Sequence, residues 1–551
     1  ERRGDRRSMA LVLFKLAGAL HTSLRFREAN AAYQQAFEHW SPSVPPDAPP
    51  TSTLRMASSY LPQVADPAAA GWWFDIQLCM QLFDRLVEAS PERSILPSLA
   101  ERWEISDDGL RYVFHLRDGT TWSDGVALTA HDVEFGVKRV LDPDAPGASV
   151  SVYFVLENGQ DYYLRRNRDA DRIGVRALDE RTVEFRLVAP APYFMNVVNR
   201  PDGGPQPRHA IERDGPAWTE PQRQVVSGPF RQLERTPERL VLVRNEAYGG
   251  VRVGNAASVR YEFSSVDDAI PRYDRDELDL IRVVYSARVA DHLPRTRTDV
   301  ELGPATWTAY LAFDHQHAVT GRADVRRALA HAIDRRALEA IVAPNYLIAT
   351  GGIVPPALHG HTPDIVPRFD PDLARRYLAG SGVSEALSGG LDLAAQDSWT
   401  SLLGPIIEGW RDVLGVEVRL RTWRADEVRA LPAPWKLAPI YVSGWLPGYP
   451  DPEYMLRLLL QTDALTNEGG FSDARLDDVI DRARRESRGR ERLELFHRAD
   501  RMAVAEIVAL LPLVYGRGTA FVKPWVHGWW EFAKTSASYA DLTIEDRATG
   551  E

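Results

Sequence analysis

The residues best placed to do chemistry lie between Pro439 and Tyr454, in the stretch PIYVSGWLPGYPDPEY. It starts with a short apolar run, Ile440-Tyr441-Val442, of the kind that makes a buried strand. That run gives way to Ser443-Gly444-Trp445-Leu446, then to Pro447 and Pro450 around Gly448-Tyr449, then to Asp451-Pro452. A strand ending in a Gly/Pro loop leaves backbone N–H and C=O groups open, with Trp445 and Tyr449 beside them. The chemistry on offer is non-covalent: hydrogen bonds to an extended guest and apolar walls for its side groups. The same residues would serve an ordinary turn with both rings in the core, and the stretch alone admits both readings.

Covalent and metal chemistry have little to build on. His315-Gln316-His317 and His359-Gly360-His361 are the close histidine pairs. Neither has a neighbouring cysteine or a helical histidine partner, so no metal is expected. The sequence contains no HExxH, GxSxG or GxxxxGK[ST] pattern, and Gly249-Gly250 with Gly254 does not make a dinucleotide fingerprint. The single cysteine, Cys79, lies in an apolar helical stretch and reads as a packing residue that can form no intrachain disulfide. Asp107-Asp108 and Asp477-Asp478 read as turns and solvated helix faces. No cofactor is expected, and nothing proposes an enzyme.

The elements that position the stretch belong to a chain too long for one core. At 551 residues, two to four domains are expected. Lysine is confined to Lys15, Lys138, Lys436, Lys523 and Lys534, and the net charge is −11. An acidic chain without basic blocks is not expected to contact nucleic acid. No apolar run reaches the roughly 18 residues of a membrane span. Ala10–Leu20 after Arg2, Arg3, Arg6 and Arg7 superficially resembles a secretory signal, but Lys15 interrupts it. The chain starts at Glu1, which is read as a cut in a longer polypeptide.

Ser8 to Trp40 predicts two amphipathic helices, with Leu13, Leu16, Ala17 and Leu20 on one face and Ala29, Tyr33, Ala36 and Phe37 on the next. This pattern, followed by Pro42, resembles one tetratricopeptide repeat, which would imply further repeats upstream. SPSVPPDAPPTS, 41–52, reads as a linker. From Leu54 strands and helices alternate. Leu54–Tyr60, Trp103–Ile105, Tyr112–Leu116, Val183–Leu187, Val241–Arg244, Val259–Phe263, Leu391–Leu393, Val416–Leu420 and Ile440–Val442 predict strands. Phe74–Val87, Thr129–Val140, Arg322–Leu338, Ser401–Leu414, Ala474–Arg485 and Arg492–Ala509 predict helices.

Trp103–Pro143, WEISDDGLRYVFHLRDGTTWSDGVALTAHDVEFGVKRVLDP, resembles the signature stretch of family 5 solute-binding proteins, the oligopeptide, dipeptide and nickel receptors of ABC importers. The similarity continues through Pro192-Tyr193-Phe194, AWTEP at 217–221, Ser227-Gly228-Pro229-Phe230 and Val243-Arg244-Asn245. It returns in DVRRALAHAIDR at 324–335, at Gly444–Pro452 and in FVKPWVHG at 521–528. It covers about residues 54 to 545, and the oligopeptide subgroup is the nearest.

The resemblance implies an α/β, two-lobed periplasmic-binding-protein-like fold (type II, cluster C). Expected are a tetratricopeptide-like segment at 1–40, a linker at 41–53, and a first lobe from 54–82, 189–265 and 515–551 with an inserted domain at 83–188. The second lobe would be 266–514. Such a receptor encloses its solute as the lobes close about a hinge, so that binding is coupled to a shape change a transporter reads. By position, Gly71-Trp72-Trp73 resembles the first-lobe strand lying against bound peptide, and Ser443-Gly444-Trp445-Leu446 its second-lobe counterpart. Trp307, Tyr310 and Trp399 fall where relatives line side-chain pockets, and Tyr449 and Asp451 complete the candidate set. Trp103, Trp122 and Trp410 are expected in the core.

One departure bears on the ligand. Where peptide-binding relatives carry an aspartate for the ligand's α-amino group, this chain has Gly448; where they carry an arginine three residues before the tryptophan, it has Val442. A buried ammonium without a carboxylate is strongly penalised. Either Asp451 or another acid reaches the site, or the ligand lacks a free amine there, as a sugar, a neutral polyamine conjugate or a capped peptide would. The implied function is a monomeric extracytoplasmic receptor whose partners are a small or peptide-like solute and an ABC transporter permease. The alternative is the ligand-sensing part of a cytoplasmic regulator with helical repeats upstream.

Overall fold

The computed structural model describes residues 2–41, 50–145, 150–250, 254–283, 297–342, 346–383, 387, 389–424, 427, 436–532, 535–536 and 538–545. The chain divides into two compact units: Glu1–Arg282 with Ser487–Gly489 and Val522–Glu551, and Val283–Glu486 with Arg490–Phe521.

The first unit opens with a helical hairpin, α1 (Arg2–Thr22) and α2 (Phe26–His39). The buried face of α1 is Ala10, Phe14, Ala17 and His21, not the leucines the sequence suggested: Leu16 is 49% exposed, and Leu13 and Leu20 are half-buried. Small alanines let α2 approach closely, and Phe14 fills the gap, its ring 5.3–6.3 Å from those of Tyr33, Phe37, Trp40 and Trp103. On α2 the buried set is Phe26, Ala29, Ala32, Tyr33 and Ala36.

The hairpin packs on a four-stranded antiparallel sheet of β2 (Ala100–Ile105), β3 (Arg111–Leu116), β4 (Val175–Ala177) and β5 (Thr182–Arg186), in the order β2-β3-β5-β4. The helix α4 (Ala130–Val140) packs against β4 and β5 and is closed by a capping box between Thr129 and Asp132. A larger sheet holds β1 (Ser52–Ser58) between β8 (Ala256–Phe263) and β9 (Leu280–Val283), both parallel to it. The strands β7 (Arg239–Arg244) and β6 (Phe230–Arg235) extend it antiparallel. The pairing Met56↔Leu280 draws the stretch from 266 to 282 into this unit, so the change-over falls after Arg282 rather than at the expected 265/266. The helix α3 (Trp73–Leu82) is buried along its whole length and ends at Leu82, short of the expected Val87, which starts a two-stranded pairing instead.

In the second unit the strand order is β13-β12-β14-β10-β15, from β10 (Val300–Phe313), β12 (Leu391–Gln396), β13 (Val418–Trp423), β14 (Ile440–Trp445) and β15 (Leu510–Val522). The three-residue β11 (Tyr346–Ile348) pairs with β15. Parallel pairing joins β12 to β13 and β14, whereas β10 is antiparallel to both its neighbours. The expected helix Arg322–Leu338 is broken. It runs as α5 (Ala323–His331) and restarts at Arg335, where Asp334 accepts the N–H of Arg336 and caps the new helix. The helix α6 (Thr400–Leu414) buries Trp410, whose indole N–H donates to the carbonyl of Leu329 at 2.9 Å. Trp103, Trp122 and Trp410 are all fully buried. Among the described residues no helix is long and apolar enough to cross a membrane.

Candidate ligand-binding site

The strand β14 carries the centre of the candidate site. On one side it pairs with β10 through Thr308↔Trp445, Ala309↔Gly444 and Tyr310↔Ser443. On the other, its pairing with β12 is limited to Leu393↔Ile440 and Ala394↔Tyr441; beyond these β12 stays paired only with β13, through Gln396, and then enters the Asp397–Trp399 turn. Among the described residues the backbone edge from Val442 to Trp445 therefore has no strand beside it on that side. Gly444 is exposed and Ser443, Trp445 and Leu446 are half-buried, so the edge reaches the surface of its unit.

Three rings gather next to this edge. The Trp307 and Tyr346 rings are 5.6 Å apart at 82°, Trp307 and Trp399 are 6.4 Å apart at 81°, and Tyr346 and Trp399 are 5.8 Å apart. Trp307 lies flat across Gly516 of β15, where a Cβ would fall within its indole, and its edge is 3.4 Å from where Gly444 would carry a Cβ. Glycine is needed at 516 because only a bare Cα leaves room for the ring. The sequence reading missed Tyr346. A three-residue strand carries too little pattern to be seen, though its apolar Tyr-Leu-Ile run was the available signal.

Tyr310 is buried on β10 with its hydroxyl hydrogen-bonded to Ser443, and burial raises its pKa. Trp445 contacts Tyr454 (6.2 Å), which meets Tyr449 edge-on at 4.8 Å. The indole N–H of Trp445 has no hydrogen-bond partner among the described residues. Tyr449 is fully buried, and its hydroxyl donates to Glu453 on α7 (Pro452–Leu460). Burial alone would raise the Glu453 carboxyl, but Arg457 and Arg484 beside it hold it below the usual carboxylate range.

Asp451 is not free to receive a ligand's ammonium. It caps α7 by accepting the Glu453 N–H at 2.9 Å, and both its oxygens are held by Arg492 at 2.8 and 2.9 Å in a buried bidentate pair with α8 (Gly489–Arg501). The acid next to Gly448 in sequence is thus spent on the fold.

Trp72 and Trp73 belong to the first unit. Trp72 precedes α3 and is 42% exposed; Trp73 is buried beneath the guanidinium of Arg282, 4.8 Å from its ring centre. Arg282 is itself buried and paired with Glu531 at 2.8 Å; burial would lower its pKa, and Glu531 more than offsets this. A cation on one ring face, neutralised from behind, makes Trp73 a firmly held wall.

The histidine pairs serve local structure. His315 Nε2 is bonded to the Ala509 carbonyl at 2.8 Å, His317 Nδ1 accepts from the Val319 N–H, and His361 Nδ1 is bonded to the Val354 carbonyl at 2.6 Å. Among the described residues there is no group of three or more metal-binding side chains. What this arrangement can do is hold an extended, partly apolar guest.

Residues 94–467 match the family described as bacterial extracellular solute-binding proteins, family 5 (middle region). The chain belongs to this family. All of the second-unit candidates, from Trp307 to Asp451, lie within the matched residues; Trp72 and Trp73 precede them. Among curated relatives of this family 5 protein, the probable deoxycholate-binding periplasmic protein YgiS of Escherichia coli K12 is 27% identical over 89% of this chain and 93% of its own length. The periplasmic oligopeptide-binding protein OppA of Salmonella typhimurium LT2 is 28% identical over 81% and 84%. Two solved structures share the fold. One is a periplasmic oligopeptide-binding protein, OppAIV, from Borrelia burgdorferi (TM-score 0.80, 24% identity, 90% of this chain and 100% of that one). The other is the murein tripeptide binding protein MppA of Escherichia coli (TM-score 0.79, 24% identity, 89% and 98%). Family 5 members are solute-binding proteins, and that is the role of this chain.

Proposed function

We propose that this family 5 protein delivers an extended, largely uncharged solute, such as a capped or otherwise amine-free peptide, to an ABC importer outside the cytoplasm. The observation that carries the reading is the open backbone edge Val442–Trp445 beside the Trp307, Tyr346 and Trp399 rings. An added strand would pair with that edge and place alternate side groups among the rings. Relatives named for oligopeptides, for a murein peptide and for deoxycholate support both an extended backbone and an apolar body as tolerated chemistry.

The engagement of Asp451 narrows the class we propose. Gly448 offers no charge, and Asp451 is already neutralised by Arg492. At this position a free α-ammonium would lose its hydration without gaining a counter-ion from either residue. Calorimetry with acetyl-Ala-Phe-Ala-amide and with uncapped Ala-Phe-Ala tests this. The capped peptide should bind at least tenfold more tightly; equal or tighter binding of the uncapped one would refute the amine-free class.

A further inference from the structure

Asp500, near the end of α8, is fully buried in the second unit. Its Oδ1 accepts the Ile353 N–H at 2.9 Å. Its Oδ2 and the adjacent Thr362 hydroxyl both lack a completed hydrogen bond. Gly352 presses its bare Cα against the carboxyl, where any Cβ would overlap it. Burial pushes the acid up to about 7, the Ile353 N–H, Thr362 and Arg501 offsetting only part of that cost.

The groups around it do not neutralise it. Arg501 follows it on α8, and one turn earlier His497 faces His359 and His361. Tyr515, from β15, donates its hydroxyl to the Gly352 carbonyl at 2.8 Å and meets the His361 ring edge-on. Arg335, at the start of the helix that Asp334 caps, and Asp364 act on Tyr515 from the side, and Arg335 is bonded to the Pro512 carbonyl at 2.8 Å. Among the described residues Asp500 has no ion pair.

The turn that Asp500 holds leads straight to the candidate site. The Ile353 carbonyl accepts the Thr308 hydroxyl at 2.8 Å. Thr308 is the cross-strand partner of both Trp445 and Tyr515 and follows Trp307 in β10. Building on the site proposed above, we infer that Asp500 is a proton-dependent positioning residue: uncharged, it pins the turn at 351–354 and thereby the stretch of β10 around Thr308; charged, it loosens both and weakens solute binding.

The sign follows from linkage. The native state binds this proton more tightly than an opened state, whose carboxyl titrates at the ordinary 3.8. The opening equilibrium therefore rises about tenfold per pH unit up to about 7 and is flat above it. The half-buried His497, whose pKa is lowered by partial burial and by the neighbouring Arg501, His359 and His361, would tilt the profile the other way, since acid would favour opening.

Hydrogen exchange of the whole chain between pH 5 and 8.5, corrected for intrinsic rates and without ligand, reads this directly. Protection of 349–357 and of 307–311 should fall roughly 100-fold between pH 5 and 7 and then level off. Asp500→Asn, which keeps the shape and removes the charge, should give flat profiles. Thr308→Val should keep the slope at 349–357 and lose it at 307–311. A flat wild-type profile, or an unchanged slope in Asp500→Asn, would overturn the inference; the wild-type profile decides even if that variant fails to fold. Affinity for acetyl-Ala-Phe-Ala-amide should decline over the same range in the wild type only, and a pH-independent affinity beside a sloping exchange profile would sever the switch from binding. Failure of that peptide to bind at all would count against the proposed ligand class, with the exchange profiles still judging Asp500.

Discussion

The side-chain oxygen of Asn30 accepts the backbone N–H of Ile105 at 3.0 Å. One helical turn on, Gln34 donates to the carbonyl of Trp103 at 2.8 Å. Two amides at i and i+4 on α2 thus satisfy alternate backbone groups along the outer edge of β2, the work a neighbouring strand would otherwise do. An uncovered strand edge is a template for association, and here a helix closes it. The N-terminal hairpin is therefore part of the first unit's structure.

Replacing both amides, Asn30→Ala with Gln34→Ala, should cost about 1 kcal/mol for each hydrogen bond lost. Urea unfolding would measure the cost, and exchange of the Ile105 amide should speed up while amides in β5 stay unchanged.

Acid should loosen the same hairpin through His21. This buried ring bridges the Pro192 carbonyl (3.2 Å) and the Tyr112 hydroxyl (2.8 Å), and burial lowers its pKa to about 4. The neutral ring suits both bonds, one nitrogen donating and the other accepting. Because the folded value lies below the unfolded 6.5, stability is level above pH 6.5 and falls as pH drops from 6.5 to about 4. The full loss is about 3 kcal/mol. His21→Gln should flatten that acid limb of a pH–stability curve; a limb of unchanged steepness would assign it to other groups.

Arg492→Ala should be among the most damaging single changes in the second unit. It leaves the Asp451 carboxylate buried without its partner, a loss of roughly 3–5 kcal/mol. Adding Asp451→Asn to it should recover much of the loss in thermal unfolding, whereas additive losses would argue against a specific pair.

The aromatic residues of the site should separate into two kinds. Trp445 is half-buried with an unpaired N–H, so Trp445→Ala should weaken capped-peptide binding tenfold or more and lower stability by less than the roughly 3–5 kcal/mol of a core tryptophan. Trp307 supports Tyr346 and Trp399, so Trp307→Ala, or Gly516→Ala beneath it, should lower both stability and affinity. Thermal unfolding beside calorimetry distinguishes the two patterns.

How much of this was legible in the sequence depends on range. Helix and strand alternation, and the run Ile440–Val442 breaking at Ser443-Gly444, follow from local pattern. The inward face of α1 did so only at Ala17, because close packing there prefers Ala10 and Phe14 to the leucines, and a polar His21 is buried where two dedicated partners wait for it. The meeting of Trp307 and Trp399 was suggested only by resemblance, since no spacing rule links residues so far apart. Tyr346, Asp500 and the Asp451–Arg492 pair depend on contacts between distant segments, and a side chain's partner across the fold leaves no local trace.

The central claim is that the solute lies along the open edge of β14. Exchange at residues 442–446, with and without acetyl-Ala-Phe-Ala-amide, tests it most directly. Bound peptide should slow exchange there at least tenfold as new backbone hydrogen bonds form. Saturating binding that leaves those amides unchanged, with protection appearing elsewhere, would contradict it.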